Sequence, residues 1–191
     1  MLVQGIKSRP IYTGLDIDAN ARRHLFALEG KGVEALHDQV NSIGPDFLKI
    51  SDILCVGPLP GIVADTVWSA PTISVLLYRL HVNLINAKMG TRLYLSGTEG
   101  FIGQAMKVAL DQNIDFSSIR TEHRGSAARR VQCVHCKGIT DDVKTSPFTC
   151  AHCGLNLLVR DHYSRRLAAF QGVCIDAEEP GTAPLPVEMF P

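Results

Sequence analysis

The 191-residue chain carries no net charge, because 19 Lys+Arg balance 19 Asp+Glu. A neutral protein has no global field to hold nucleic acid, so any such contact requires a local basic patch. No apolar run approaches the roughly 18 residues of a membrane-spanning helix, which excludes that class. The opening residues MLVQGIKSRPIYTG lack the basic-then-apolar pattern of a secretory signal. Export is therefore not expected, and the cytoplasm is the expected compartment. What is present is the composition of a globular domain, 46% apolar and 20% charged, enough to bury a core.

Six cysteines stand at 55, 133, 136, 150, 153 and 174. Four of them form two Cys-x-x-Cys pairs, C133VHC136 and C150AHC153, with 13 residues between. Disulfides are rare in the expected compartment, so the spacing points to a metal site. Cys55 and Cys174 lie in the apolar contexts ILCVG and GVCID and are expected in the core.

Organisation follows from periodicity. HLFAL (24–28) predicts a strand, and apolar Val33, Leu36 and Val40 then recur at helical spacing. DILCVG (52–57) predicts a second strand, and the Pro/Gly-punctuated segment 57–71 a loop. Pro71 stands where helices begin, and the apolar residues nearly surrounding TISVLLYRLHVNLINAKMG predict a well-buried helix ending near Gly90. TRLYLSG (91–97) is a strand, and 98–113 a helix capped by Thr98 with an acidic first turn. A short strand follows at 118–121. This alternation predicts an α/β domain over 1–124, a small doubly wound parallel sheet.

RGSAARR supplies an exposed linker, 125–130, and a four-cysteine zinc-ribbon or rubredoxin-like module is expected over 131–176. Strands at roughly 155–160 and 167–175 would flank the polar turn DHYSRR. Residues 177–191, with four prolines in the last twelve, form an extended tail that only a partner would order.

Two Cys-x-x-Cys turns offer four thiolates to a metal that favours tetrahedral sulfur. Gly154, and Gly138 in the first turn, would allow the tight backbone. A module of this size buries too little core alone, so the metal would supply folding free energy of about 10 kcal/mol or more. Zinc and iron both accept Cys133, Cys136, Cys150 and Cys153. Zinc is favoured because the module offers only Phe148, Tyr163 and Phe170 where rubredoxin-type iron sites pair with a dense aromatic core. His135 and His152, inside the turns, are expected as spacers. Asp161, His162, Tyr163, Arg165 and Arg166 gather on the DHYSRR turn as a candidate partner-docking tip, with a plain solvated loop as the alternative.

LYLSGTEGF resembles the last nucleotide-domain motif of ferredoxin-NADP reductase-like enzymes, a strand ending in Cys-Gly-Pro-Glu-Gly-Phe. Ile119–Glu122 (IRTE) resembles that family's terminal Ile-x-x-Glu. The resemblance covers about thirty residues and implies a nucleotide turn at Gly97, Thr98, Glu99 and Gly100. It departs at Thr98, where proline is expected. There is no upstream Gly-Gly-x-Gly-x-x-Pro turn, and no flavin-binding Arg-x-Tyr-Ser. Both halves together, above all C133VHC … C150AHCGLNLLVRDHYSRRLAAFQGVC174, resemble the small A subunit family of bacterial dimethylamine monooxygenases. That resemblance implies a multi-subunit oxygenase using NADPH and dioxygen to convert dimethylamine to methylamine and formaldehyde. Haem, flavin, iron–sulfur and NADPH chemistry would lie on larger haem-containing and reductase subunits. No haem-axial motif, plant-type iron–sulfur spacing or flavin motif is seen in this chain.

Three functions therefore stand open. The first is an accessory, zinc-braced subunit of such a complex. The second is a rubredoxin-like electron carrier of the same complex, with iron in the site. The third is an unrelated zinc-ribbon protein that binds nucleic acid through Arg124, Arg129, Arg130, Arg165 and Arg166, with steep salt dependence. A stand-alone enzyme is disfavoured, since four cysteines leave a catalytic metal no open position and no nucleophile–base pair is evident.

Overall fold

A computed structural model describes residues 8–191. The described residues divide into two compact units, one of Tyr12–Gly125 and one that joins Ser126–Pro191 to residues 8–11.

In the first unit, β1 (Arg23–Glu29), α1 (Gly32–Ile43), β2 (Ser51–Val56), β3 (Thr66–Ala70), α2 (Ile73–Ile85), β4 (Thr91–Gly97), α3 (Glu99–Asp111) and β5 (Ile119–His123) follow one another. The strands form one sheet in the order β3-β2-β1-β4-β5, every neighbouring pair parallel. Alternation along β1 shows why helices cover both faces. Leu25 and Ala27 join one core with Leu76, Leu80 and Leu84 of α2 and Phe101, Ile102 and Ala105 of α3. Phe26 and Leu28 point the other way, into a core with Val33 and Leu36 of α1 and Tyr94 of β4. The sheet is doubly wound, and its order reverses between β1 and β4.

Two expectations for this unit are corrected. The segment 57–71 is not all loop, because Thr66–Ala70 forms β3. It is an edge strand with mostly exposed side chains, so it carries no buried-strand signature. The helix after Pro71 is not well buried. Thr72 caps it, its hydroxyl accepting from the Val75 amide at 3.3 Å. It ends at Ile85, and only Leu76, Leu80 and Leu84 are fully buried.

The second unit holds β6 (Arg129–Cys133), β7 (Ile139–Val143), β8 (Thr145–Ser146), β9 (Phe148–Thr149), β10 (Asn156–Ser164), β11 (Ala169–Cys174) and β12 (Val187–Glu188). Its main sheet runs β7-β6-β11-β10-β9, with β6 and β11 parallel and the other pairs antiparallel. The segment predicted as an exposed linker enters this sheet, for Ala128 and Arg129 are buried and Arg129 opens β6. The polar turn is also shorter than expected. Leu157, Val159, Asp161 and Tyr163 continue one inward-facing alternation, so β10 reaches Ser164 and leaves Arg165 and Arg166 in the turn. The tail needs no partner for order. Val187 and Glu188 of β12 pair with β8, Phe190 is buried, and the Pro191 carbonyl accepts from the Ala127 amide at 2.6 Å.

Candidate metal centre and the crevice at the sheet reversal

The two Cys-x-x-Cys turns fold to the same local pattern. In the first, the Lys137 amide donates to Cys133 O (3.0 Å) and the Cys133 amide to Gly138 O (2.9 Å). In the second, the Gly154 amide donates to Cys150 O (3.0 Å) and the Cys150 amide to Leu155 O (2.9 Å). Each turn closes through a left-handed residue after its second cysteine, Lys137 at φ 65° and Gly154 at φ 77°. The expected glycine at 138 therefore does other work. A Cβ there would lie 2.4 Å from the His152 ring, so Gly138 lets one turn seat against the other. His152 Nε2 lies 2.7 Å from the Ile139 carbonyl, which ties this histidine to the backbone.

The four sulfurs converge within 4.8 Å of one another, and the pairs Cys133–Cys153 and Cys136–Cys150 are each 3.8 Å apart. A tetrahedral metal with bonds of about 2.3 Å to sulfur demands sulfur–sulfur edges of about 3.8 Å. The donor set thus fits one tetrahedral ion. Its protonation shows the same need for a cation. Burial raises the Cys150 thiol, but the His152 and Cys153 amides and the neighbouring thiols outweigh it and lower it to about 7. The Leu155 amide lowers the Cys153 thiol, but burial and the other three sulfurs push it up to about 12. Four sulfurs this close cannot all ionise without a countercharge, and a bound dication supplies one. Cys133 and Cys150 are buried, while Cys136 and Cys153 are half-buried.

The predicted docking tip separates into two groups. The Asp161 side chain is buried against Arg129 Nη2 at 2.6 Å, and Tyr163 packs edge-on to Phe170. His162, Arg165 and Arg166 remain exposed. The Arg129 guanidinium lies 4.0 Å from the Phe170 ring and 4.1 Å from the Phe190 ring, so the ion pair also anchors the tail. Sequence reading missed this pair. The period-two run Leu157-x-Val159-x-Asp161-x-Tyr163 is the signal that places Asp161 inside. Three of the five arginines proposed for nucleic acid are committed to carboxylates: Arg124 to Glu122 and Asp38, Arg129 to Asp161, and Arg130 to Asp141.

In open parallel sheets ligands enter at the carboxyl ends of the strands where the order reverses, here β1 and β4. Gly97, Thr98, Glu99 and Gly100 lie at that point. Thr98 caps α3, its hydroxyl accepting from the Phe101 amide at 3.4 Å. A Cβ on Gly32 would lie 2.1 Å from the Ser96 carbonyl, which sets the start of α1 hard against β4. The Glu29 carboxylate, at the end of β1, accepts from the Thr98 amide at 3.0 Å. It satisfies that amide, and Glu99 beside it accepts from the Tyr12 hydroxyl at 3.0 Å. The turn is therefore flanked by two carboxylates, Glu29 and Glu99, each holding a hydrogen bond within the unit.

Comparison with known proteins gives three findings. Residues 4–119 match the N-terminal domain, and residues 130–173 the C-terminal domain, of the family "Dimethylamine monooxygenase subunit DmmA-like". A curated relative from Ectopseudomonas mendocina (strain ymp), the "Heme-dependent oxidative N-demethylase delta subunit", is 30% identical over 163 residues, covering 84% of this chain and 83% of that protein. A solved structure, the "Ferredoxin reductase in carbazole 1,9a-dioxygenase (FAD apo form)", is 12% identical with a TM-score of 0.42. It covers 59% of this chain, which spans 34% of that one.

Proposed function

The chain belongs to the DmmA-like family of dimethylamine monooxygenase subunits, and from that premise we propose that it is an accessory subunit of an N-demethylating monooxygenase complex. In this reading Cys133, Cys136, Cys150 and Cys153 hold zinc as a structural brace. Dimethylamine is oxidised to methylamine and formaldehyde, with NADPH and dioxygen, on larger haem-containing and flavin/iron–sulfur reductase subunits. His162, Arg165 and Arg166 contribute to docking.

The observation that carries the accessory role is the Glu29 carboxylate on the Thr98 amide. It takes up the Thr98 amide within the turn that resembles a reductase nucleotide motif, and so argues against the turn at Gly97–Gly100 as an NADPH site. The four-sulfur site agrees, since a closed tetrahedral set offers no exchangeable position for substrate.

The electron-carrier reading with iron keeps one observation in its favour. Cys136 and Cys153 are half-buried, so an electron would have a short path to a partner. Elemental analysis and a visible spectrum on the same purified sample separate the two. About one zinc per chain and no colour is expected. One iron with a thiolate charge-transfer band would replace the brace by a redox relay. A calorimetric titration with NADPH tests the crevice, and saturable binding to the isolated chain would overturn its closed reading.

A further inference from the structure

Helix α2 is apolar on two sides. Ile73, Leu76, Leu80 and Leu84 face the sheet. A second stripe on the helix is Val75, Tyr78, Val82 and Ile85, and Met89 lies beyond it in the following turn. On the helix the spacing is three, four and three residues, which is the seam of a helix that packs on another helix. This stripe stands outward. On the helix Val75 is 39% exposed, Tyr78 71% and Ile85 59%, with Val82 half-buried between them, and Met89 beyond the helix is 93% exposed. Water is a poor solvent for three such side chains on one helix face, and scattered surface residues do not align in this way.

The flanks of the stripe have one sign. α2 contains no Asp or Glu. Arg79 lies 5.7 Å over the Trp68 ring, and Lys88 and Arg22 stand at the far end of the stripe. None of these three has a carboxylate partner among the described residues, whereas the nearby Asp52 and Asp65 are both taken by Arg23. A cleft of about 440 Å³ opens beside Met89, with Arg22, Lys88, Asn83, Asn86 and the Arg23–Asp52 pair on its walls.

Resting on the subunit reading above, we propose that the outer face of α2 docks an amphipathic helix of a companion subunit. That helix has an apolar seam and acidic flanks, and it sets a carboxylate into the Arg22/Lys88 cleft. Charge decides the occupant. A second copy of this chain would bring two sets of unpaired cations into one interface, with the nearby Asp52 and Asp65 of each side already held by Arg23.

The test uses the full chain co-produced with the companion oxygenase subunits. Compared with wild type are the double variants Tyr78→Glu/Ile85→Glu and Tyr78→Lys/Ile85→Lys, and Val63→Glu on an exposed loop as control. The varied side chains are exposed, so all variants should melt at the wild-type temperature. Assembly is expected for wild type and control, with about 100-fold weaker assembly for the Glu pair. The Lys pair should lose clearly less, because acidic flanks accept a cation. A carbodiimide should join Lys88 to an Asp or Glu of the companion.

Full assembly by both double variants would overturn the docking face and leave the subunit reading intact. Equal losses for Glu and Lys, with no Lys88 cross-link, would overturn the acidic partner. Self-association of the isolated chain that the double variants abolish would make a second copy the occupant. No assembly even by wild type would overturn the subunit reading and this inference together.

Discussion

Replacing Arg129 by alanine removes the centre of the C-terminal unit. Its side chain is 5% exposed and that of Asp161 10%, so the pair is out of water. The Asp161 Oδ1 atom, 2.6 Å from Arg129 Nη2, has no aligned hydrogen bond, so the contact is chiefly one of charge. Leaving a buried carboxylate alone costs about 3–5 kcal/mol. Two aromatic faces lose their cation, at roughly 1 kcal/mol each. These losses overlap, and a total of about 4 kcal/mol corresponds to roughly a thousandfold loss of protection from amide hydrogen exchange where opening of this unit controls it. Exchange on the full chain, read in peptides covering 126–133 and 185–191, measures that loss directly. The companion variant Arg129→Met/Asp161→Leu removes both charges and should recover most of it. Unchanged protection in Arg129→Ala, or no recovery in the double variant, would refute the reasoning.

Cys150→Ser should abolish stoichiometric metal and the protection of the two cysteine turns, 133–138 and 150–155, checked by elemental analysis and exchange. Glu29→Gln should lower the stability of the first unit by about 1 kcal/mol in urea, because the Thr98 amide at the start of α3 loses a charged acceptor. Burial, helped by Arg92 and opposed by Asp18, holds the His24 imidazole below its ordinary value. The unfolded chain therefore binds the extra proton first, and stability should fall as pH drops below about 6.5. His24→Leu should flatten that fall in urea titrations at pH 7 and pH 5. Gly138→Ala should weaken metal retention against a chelator, because the new methyl meets the His152 ring and pushes the two turns apart.

Where periodicity and burial agree, the sequence was a good guide. β1, β2 and β4 are inner strands of the sheet, so they read as short apolar runs. The cysteine spacing was legible because two identical turns repeat the same chemistry. β3 was hidden because an edge strand needs no apolar alternation, and its neighbours Pro58, Pro60 and Pro71 speak for a loop. α2 was misjudged because apolar residues on all sides do not by themselves bury a helix: one face packs on the sheet, and Val75, Tyr78 and Ile85 are left exposed. Asp161 was placed in a turn because polar character was weighed above position. Its partner lies 32 residues earlier in the chain, a distance over which local patterns carry no information.

The strand β6 begins at Arg129 and ends at Cys133, so the ion pair and the metal site fasten the unit at opposite ends of one strand. Each fastener ties different pieces. The sulfurs join the hairpin of β6 and β7 to that of β9 and β10, and Arg129 gathers β10, β11 and the tail. A chelator would then open the unit as a hinge rather than dissolve it. Metal-free protein should keep an ordered half from which the site can close again when an ion returns.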